Sequence, residues 1–322
     1  MSVMAVVVKS ADIPREDAVK IGFTVFTASI PVSMIFLTGD ASINPLAAAS
    51  CDPEPVGWLK WFEVMGLPMI VTSIITMVMI LFMFKPTKEV NVNKTEILEK
   101  LEAMGPMSGK ELRTAVWVTL AIILWMMAII LWMTDTLHGI DIGWVTLFIA
   151  MGMAMPKIGG ILTPQSWSGV PVQTLIFLTA AVAIGRVGGA TGMNTWIAQT
   201  VLPSSVPENM FILAAFITAV SIAIHMLFGS VIAVMGIVIP AMLAFTGSMG
   251  ISTIIPVMIA YIAINAHFIL PFHNLAILVG VGEDNGMYTE KETIKFGVPF
   301  TIVLFIITVG VAVPWWKVIG LW

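Results

Sequence analysis

Apolar windows alternate with short polar turns along the whole chain. The windows fall at residues 21–37, 66–84, 115–133, 142–155, 170–184, 210–227, 231–245, 254–270 and 298–313. Each approaches the length a helix needs to cross a hydrocarbon core of roughly 30 Å, although several are too short or too interrupted to be simple spans. The pattern also repeats. A polar break ending in Asn44 precedes a tryptophan-rich turn and then Gly66-Leu67-Pro68, expected to open a long helix; Pro271-Phe272-His273-Asn274 precedes a polar turn and then Gly297-Val298-Pro299. The second set lies about 230 positions after the first, and both helices continue into an Ile-Ile-Thr run, as a duplicated membrane unit with interrupted spans would.

Irregular backbone at membrane depth is tolerated only where protein or a water-filled cavity satisfies it, so the breaks are the places to look for a site. The first is Thr38-Gly39-Asp40-Ala41-Ser42-Ile43-Asn44-Pro45, where Gly39 relaxes the backbone and Pro45 suits the first turn of a new helix. The second is Leu270-Pro271-Phe272-His273-Asn274, in the repeat-equivalent place, with a histidine able to carry a proton near neutral pH. Phe228-Gly229-Ser230 joins two apolar arms and is expected as the tip of a re-entrant hairpin over 210–245. A helix starting there turns free N–H groups and its positive dipole end toward an anion.

Charge bias orients the chain. Lys85, Lys88, Lys94, Lys100, Lys110 and Arg113 mark segment 85–113 as a cytoplasmic linker, and Lys291 and Lys295 place the turn at 282–295 on the same side. The turns 134–141, 202–209 and 247–253 contain no Lys or Arg. This parity puts 9–20 inside and the C-terminus outside. Within the linker, Asn93 with Glu96 and Ser108 with Glu111 read as helix-starting caps.

Composition agrees with a bilayer. The chain is 58% hydrophobic and 11% charged, with mean hydropathy +1.00. A net charge of −4 offers no basic stripe for nucleic acid, and a single cysteine, Cys51, excludes an intramolecular disulfide framework. The N-terminus lacks the basic-then-apolar order of a secretory signal. Trp58, Trp61, Trp315, Trp316 and Trp322 lie near span ends, where indoles anchor at the headgroups, and the 24 methionines read as adaptable packing. His225 and His267 sit in apolar helices without a second ligand at helical spacing, so they read as core and no metal site is expected. Arg186 reads as a snorkelling span-end residue, and Asn93-Lys94-Thr95 as a glycosylation sequon on the cytoplasmic side. No nucleotide loop or catalytic constellation points to an enzyme, and no cofactor is implied.

Several stretches resemble the divalent-anion:sodium symporter family. Ala28-Ser29-Ile30 through Gly39 and Asn44 is similar to that family's segment ending Gly-(Thr/Ser)-Pro-Pro-Asn, and Trp58 to Pro68 to its Trp-x-x-x-Gly-Leu-Pro. Gly105-Pro106-Met107-Ser108 resembles its linker; Ser230 and Ile239-Pro240 fall where the second hairpin has Ser-Asn-Thr followed by Ile-Pro, and Leu270-Pro271 with Asn274 matches its second break. Val231 and Ile232 replace the family's Asn and Thr, and the paired prolines are missing from both breaks. Met1 falls at about the outgoing arm of the family's first hairpin, so the first scaffold spans are expected either in a longer protein or on a second polypeptide.

The resemblance implies an all-α membrane protein, an inverted-repeat secondary transporter with a re-entrant hairpin and broken helices. Its divisions would be a partial first repeat (1–84), the linker (85–113), and a second repeat (114–322) with hairpin 210–245 and broken helix 254–281. It implies symport of a small anion such as a dicarboxylate or sulfate with Na+ or H+, by a homodimer in a bacterial or archaeal inner membrane. Gly229, Ser230, Asn44 and Asn274 are the expected substrate residues; Gly39, Asp40 and His273 are expected at the coupling cation. The alternative is a non-transporting membrane subunit that packs against a complete symporter. A channel, for which no ring of like side chains supplies a filter, is a third possibility.

Overall fold

Every regular element among the described residues is helical, as lipid requires of a chain that must satisfy its own backbone. The computed structural model describes residues 13–40, 43–51, 56–85, 105–133, 142–157, 159–169, 206–281 and 287–322, with isolated positions between them. Asn93 with its cap and sequon, Arg186 and most of 86–104 and 170–184 lie outside the described residues. Two compact units are distinguished, 1–90 together with 177–322, and 91–176.

The smaller unit contains α4 (Gly109–Met133) and α5 (Ile142–Ala154). The expected cap starts α4: Ser108 N–H donates to Glu111 Oε2 at 2.7 Å, and Glu111 N–H donates back to Ser108 Oγ at 3.3 Å.

The larger unit begins with α1 (Arg15–Ser29), the short α2 (Ile43–Ala49) and the long α3 (Trp58–Met83). It continues with α6 (Met210–Leu227), α7 (Val231–Thr246), α8 (Ile254–Asn265), α9 (Leu275–Val281), α10 (Glu290–Ile307) and α11 (Val313–Val318). A π-turn at Thr308–Ala312 joins the last two. Among the described residues, five stretches are long and apolar enough to cross a membrane: Asp17–Ile35, Trp58–Met83, Met210–Leu227, Val231–Met249 and Glu290–Val318. The protein is therefore a multi-pass, all-α membrane protein.

Helix α8 is apolar all round and buried from Ile255 to Asn265, packed against both arms α6 and α7. Helix α3 is the opposite case, with a stripe of Leu67, Ile70, Ile74, Val78 and Leu81 facing outward. Its inner stripe carries Thr72, Ser73 and Thr76, whose hydroxyls donate to the carbonyls four residues back at 2.6 to 2.7 Å, which keeps them satisfied away from water.

Neither Pro68 nor Pro299 opens its helix, contrary to the sequence expectation; both lie inside. Helix α10 starts earlier because Thr289 and Glu292 form a capping box, with Thr289 N–H donating to Glu292 Oε2 at 2.7 Å. In α3, Pro68 cannot donate to the Val64 carbonyl. The indole Nε1 of Trp316 donates to that carbonyl instead, at 2.9 Å, and Trp315 Nε1 reaches the neighbouring Glu63 carbonyl at 2.7 Å. The tryptophans thus do more than anchor in headgroups. Trp61 and Trp316 are fully buried, and Trp61 Nε1 donates to the Met34 carbonyl at 3.1 Å, so each indole satisfies backbone that regular helix leaves open.

An aromatic cluster packs α1 against α10 and against the chain just beyond α8. Phe23 stacks on Tyr288 at 4.5 Å and Phe296 at 4.7 Å, and Phe26 meets Phe268 edge-on at 4.8 Å. Tyr288 donates its hydroxyl to the Ile277 carbonyl at 3.0 Å, tying the turn before α10 to α9.

Candidate functional site

The first break lies where the sequence puts it, between α1 and α2, and its chain reversal is built around Asn44. The fully buried Asn44 amide donates to the Ser33 carbonyl at 3.0 Å and to the Phe36 carbonyl at 2.9 Å, covering two acceptors that leave regular helix here. Gly39 crosses so close to the Ser33 carbonyl that a Cβ would overlap it, so the turn needs glycine. Asp40 Oδ1 accepts the Ile43 N–H at 3.0 Å and so starts α2, with Pro45 in the first turn as expected. Trp58 Nε1 donates to Thr38 Oγ1 at 3.3 Å, closing the break against α3.

The second break repeats the device with Asn274. Its amide N–H donates to the Asn265 carbonyl at 2.9 Å, and its oxygen accepts the Ala276 N–H at 2.9 Å, so it seals the end of α8 and starts α9. One amide N–H of Asn274 remains for another partner. The imidazole Nδ1 of His273 accepts the backbone N–H groups of Ile269 and Leu270 at 3.1 and 3.2 Å.

Helix α8 connects the two breaks. Tyr261 donates its hydroxyl to Asn44 Oδ1 and accepts from the Asn265 amide at 3.3 Å, while the Asn265 carbonyl receives Asn274. The row Asn44, Tyr261, Asn265, Asn274 is buried throughout. Asn265 Oδ1 is buried without a hydrogen-bond partner.

The tip joining α6 and α7 meets the second break. Ser230 caps α7, its Oγ accepting the Ala233 N–H at 3.4 Å, and a Cβ on Gly229 would stand 3.0 Å from the Phe272 carbonyl and closer still to its ring. The sequence expects Gly229, Ser230, Asn44 and Asn274 at the substrate and Gly39, Asp40 and His273 at the coupling cation; in the structure Gly229 of the tip lies against Phe272, next to His273 and Asn274. Asn44, Gly39 and Asp40 belong to the first break, joined to the second through Tyr261. Both N–H groups and the oxygen of Asn44 are engaged inside the protein.

Sequence reasoning treated His225 and His267 as separate core residues, whereas both belong to this region. His225 Nδ1 lies 3.1 Å from His267 Nδ1, and His225 Nε2 lies 3.0 Å from the His273 carbonyl oxygen. All three imidazoles are fully buried. His225 and His267 are 42 positions apart, and no local spacing signals their meeting. Tyr261, one of only two tyrosines, also went unnoticed.

The chain is 26% identical over 318 residues to dicarboxylate transporter 1, chloroplastic, of Arabidopsis thaliana, an alignment covering 93% of this chain and 53% of that protein. The protein of the same name from Spinacia oleracea is 26% identical over 318 residues, covering 93% and 52%. A membrane protein of Cupriavidus necator is 24% identical over 274 residues, covering 83% and 52%. The chain spans about half the length of these curated relatives. By name the plant relatives are transporters and not enzymes. The family described as the sodium:sulfate symporter transmembrane region matches residues 4–322, a stretch that includes both breaks and the hairpin, and the chain belongs to that family.

Proposed function

We propose that this chain carries the substrate-handling elements of a secondary active transporter that moves a small anion, a dicarboxylate or sulfate, together with a cation. The observation that carries the proposal is the buried row linking two helix breaks through Tyr261, with the hairpin tip seated on the second break. Interrupted segments at corresponding positions of two repeats are where such transporters bind their cargo. The names of the plant relatives favour a dicarboxylate, and the family name favours sulfate and sodium.

In this reading 210–245 is a re-entrant hairpin, and Gly229 and Ser230 present the start of α7 to the anion. The spare N–H of Asn274 faces the same cargo, while Asn44 holds the first break in shape. Gly39, Asp40 and His273 serve the coupling cation, Na+ or H+, the glycine and histidine through backbone carbonyls. The protein acts as a homodimer in a bacterial or archaeal inner membrane.

One observation favours a second reading, a membrane subunit without transport of its own: apolar Val231 and Ile232 follow Ser230, where the resembling motif has Asn and Thr. Uptake of labelled succinate, sulfate and citrate into proteoliposomes, under inward sodium or proton gradients, separates the two. Gradient-dependent uptake of at least one anion is expected; none under any gradient sinks the transport reading.

A further inference from the structure

Three of the chain's four histidines converge beside the hairpin tip from different elements, His225 in the last turn of α6, His267 just beyond α8 and His273 in the second break. Their contacts fix where the protons sit. A carbonyl only accepts, so His225 Nε2, 3.0 Å from the His273 carbonyl oxygen, carries a hydrogen. A neutral His225 then offers its Nδ1 as a lone pair, and the proton in the 3.1 Å contact belongs to His267 Nδ1. His267 Nε2 is left bare, buried and without a partner. His273 accepts two backbone N–H groups on Nδ1, so its hydrogen is on Nε2. That Nε2 is buried and has no partner in hydrogen-bond geometry.

Buried polar atoms are nearly always paired, so a bare ring nitrogen at this place calls for a ligand. A metal ion fits poorly. Both His273 nitrogens are committed, one to two N–H donors and one to its own hydrogen, and no group of three His, Cys, Asp or Glu among the described residues could hold a metal. A proton fits, because it needs only one lone pair.

Few ionisable groups sit on the elements around the cluster, and those of α1, which meets Phe268 through Phe26, lie in its first two turns at Arg15, Glu16, Asp17 and Lys20. Helices α7 and α9 and the turn at 308–312 carry no ionisable side chain, and His225 is the only one on α6. Tyr261 is the only one on α8 and is engaged with Asn44 and Asn265, while Asp40 lies in the first break with its Oδ1 accepting the Ile43 N–H. Glu290, Lys291, Glu292 and Lys295 lie in the first two turns of α10, and Lys317 of α11 sits over the Trp322 ring. The three rings stand 5.2 to 5.8 Å apart, centroid to centroid, so a charge on one opposes a charge on another.

We propose that, with H+ as the coupling cation, His267 Nε2 holds the proton in place of the backbone carbonyls of Gly39 and His273, which suit Na+, and that the resulting imidazolium is neutralised by the substrate anion at the hairpin tip, so that proton and anion load together. This deepens the transport reading and rests on it. The proton arrives from water on one side and leaves to water on the other, and the N–H bond at His267 is the one made and broken. Coupling follows from burial: a charge far from water is unfavourable without a partner, and here the partner is the cargo. Linkage makes the effect mutual, so a bound anion must raise the proton affinity of His267 by the factor by which the proton raises anion affinity.

The test is a nitrogen-15 NMR titration of the full chain in lipid nanodiscs, labelled at histidine, with and without saturating succinate or sulfate. Three ring patterns are expected for the cluster, and the bare-nitrogen signal of His267 should be lost in His267→Asn. Should that variant not fold, His138→Asn removes the fourth histidine and leaves the cluster signals alone. As pH falls the bare nitrogen should gain a proton, and an anion should raise its proton affinity about 5- to 150-fold. A His267 ring that takes no proton before the protein unfolds, or a midpoint unmoved by both anions, overturns the proposal. A titration that moves with the anion in a protein showing no vesicle uptake keeps the site and rejects the transport reading; uptake with an unmoved titration does the reverse.

Discussion

Tyr261 donates its hydroxyl to the side-chain oxygen of Asn44, 217 positions earlier in the chain, and this bond joins the first helix break to the helix that ends in the second. Without it, Asn44 would still tie its break to itself through the Ser33 and Phe36 carbonyls, and Asn274 would still seal the end of α8. The link through Tyr261 is what allows a change in one break to reach the other through rigid, buried groups. Trp61 stands edge-on to Tyr261 at 5.3 Å and holds the Met34 carbonyl, so α3 supports the same junction.

Replacing Tyr261 with Phe removes the hydroxyl and leaves Asn44 Oδ1 and the Asn265 amide buried and unpaired. The expected loss of stability is about 1–3 kcal/mol. Asn44→Ala should add less to Tyr261→Phe than it costs alone, because the two share one bond. Thermal unfolding in a mild detergent, carried out as a double-mutant cycle, reads the coupling. Fully additive effects would mean that the two residues do not act together.

Gly39 and Gly57 make a controlled pair. A methyl group on Gly39 meets the Ser33 backbone carbonyl, which cannot swing away as a flexible side chain could, whereas a methyl on Gly57 finds open space. Gly39→Ala should therefore destabilise the protein by about 1–3 kcal/mol, and Gly57→Ala should leave the unfolding midpoint nearly unchanged. Equal midpoints for the two variants would contradict the close crossing in the first break.

The start of α4 should respond to acid. Hydrogen bonds from the Ser108 backbone N–H, and then from its hydroxyl, hold the Glu111 carboxyl below its ordinary pKa. A depressed folded-state pKa means that the cap's contribution is complete above the ordinary glutamate range and is lost as pH falls through the lower folded value. Amide hydrogen exchange at Glu111 and Leu112, corrected for the intrinsic pH dependence, should show protection declining in that window. Glu111→Gln should abolish the step, whereas Ser108→Ala, which keeps the backbone donor, should only reduce it. Protection that is independent of pH would remove the carboxylate from the cap.

The breaks were legible because they interrupt apolar runs with residues whose backbone preferences are strong, such as Gly39, Pro45 and Pro271. The Ser108–Glu111 cap was legible for the same local reason, its two partners lying three residues apart. What escaped the sequence was every feature set by distant partners. Pro68 looked like a helix start because the donor that keeps Val64 satisfied is Trp316, 252 positions away. His225 and His267 looked like isolated core residues because only the packing of α6 against α8 brings their rings together. Asn44 was visible as a polar residue at a break, but its complete engagement depends on Tyr261, which carries no local mark.

Trp316 and Pro68 offer the sharpest test of how α3 survives an internal proline. Trp316→Phe keeps an aromatic ring in a fully buried position but withdraws the donor from the Val64 carbonyl, at an expected cost of about 1–3 kcal/mol. Pro68→Ala restores a backbone N–H that can reach Val64 from within the helix. If the indole stands in for the missing helical donor, Trp316→Phe should cost much less in the Pro68→Ala background than in the original chain, and unfolding midpoints of the four proteins would show it. The same loss in both backgrounds would mean that Trp316 stabilises α3 through packing alone, and that Val64 needs no donor.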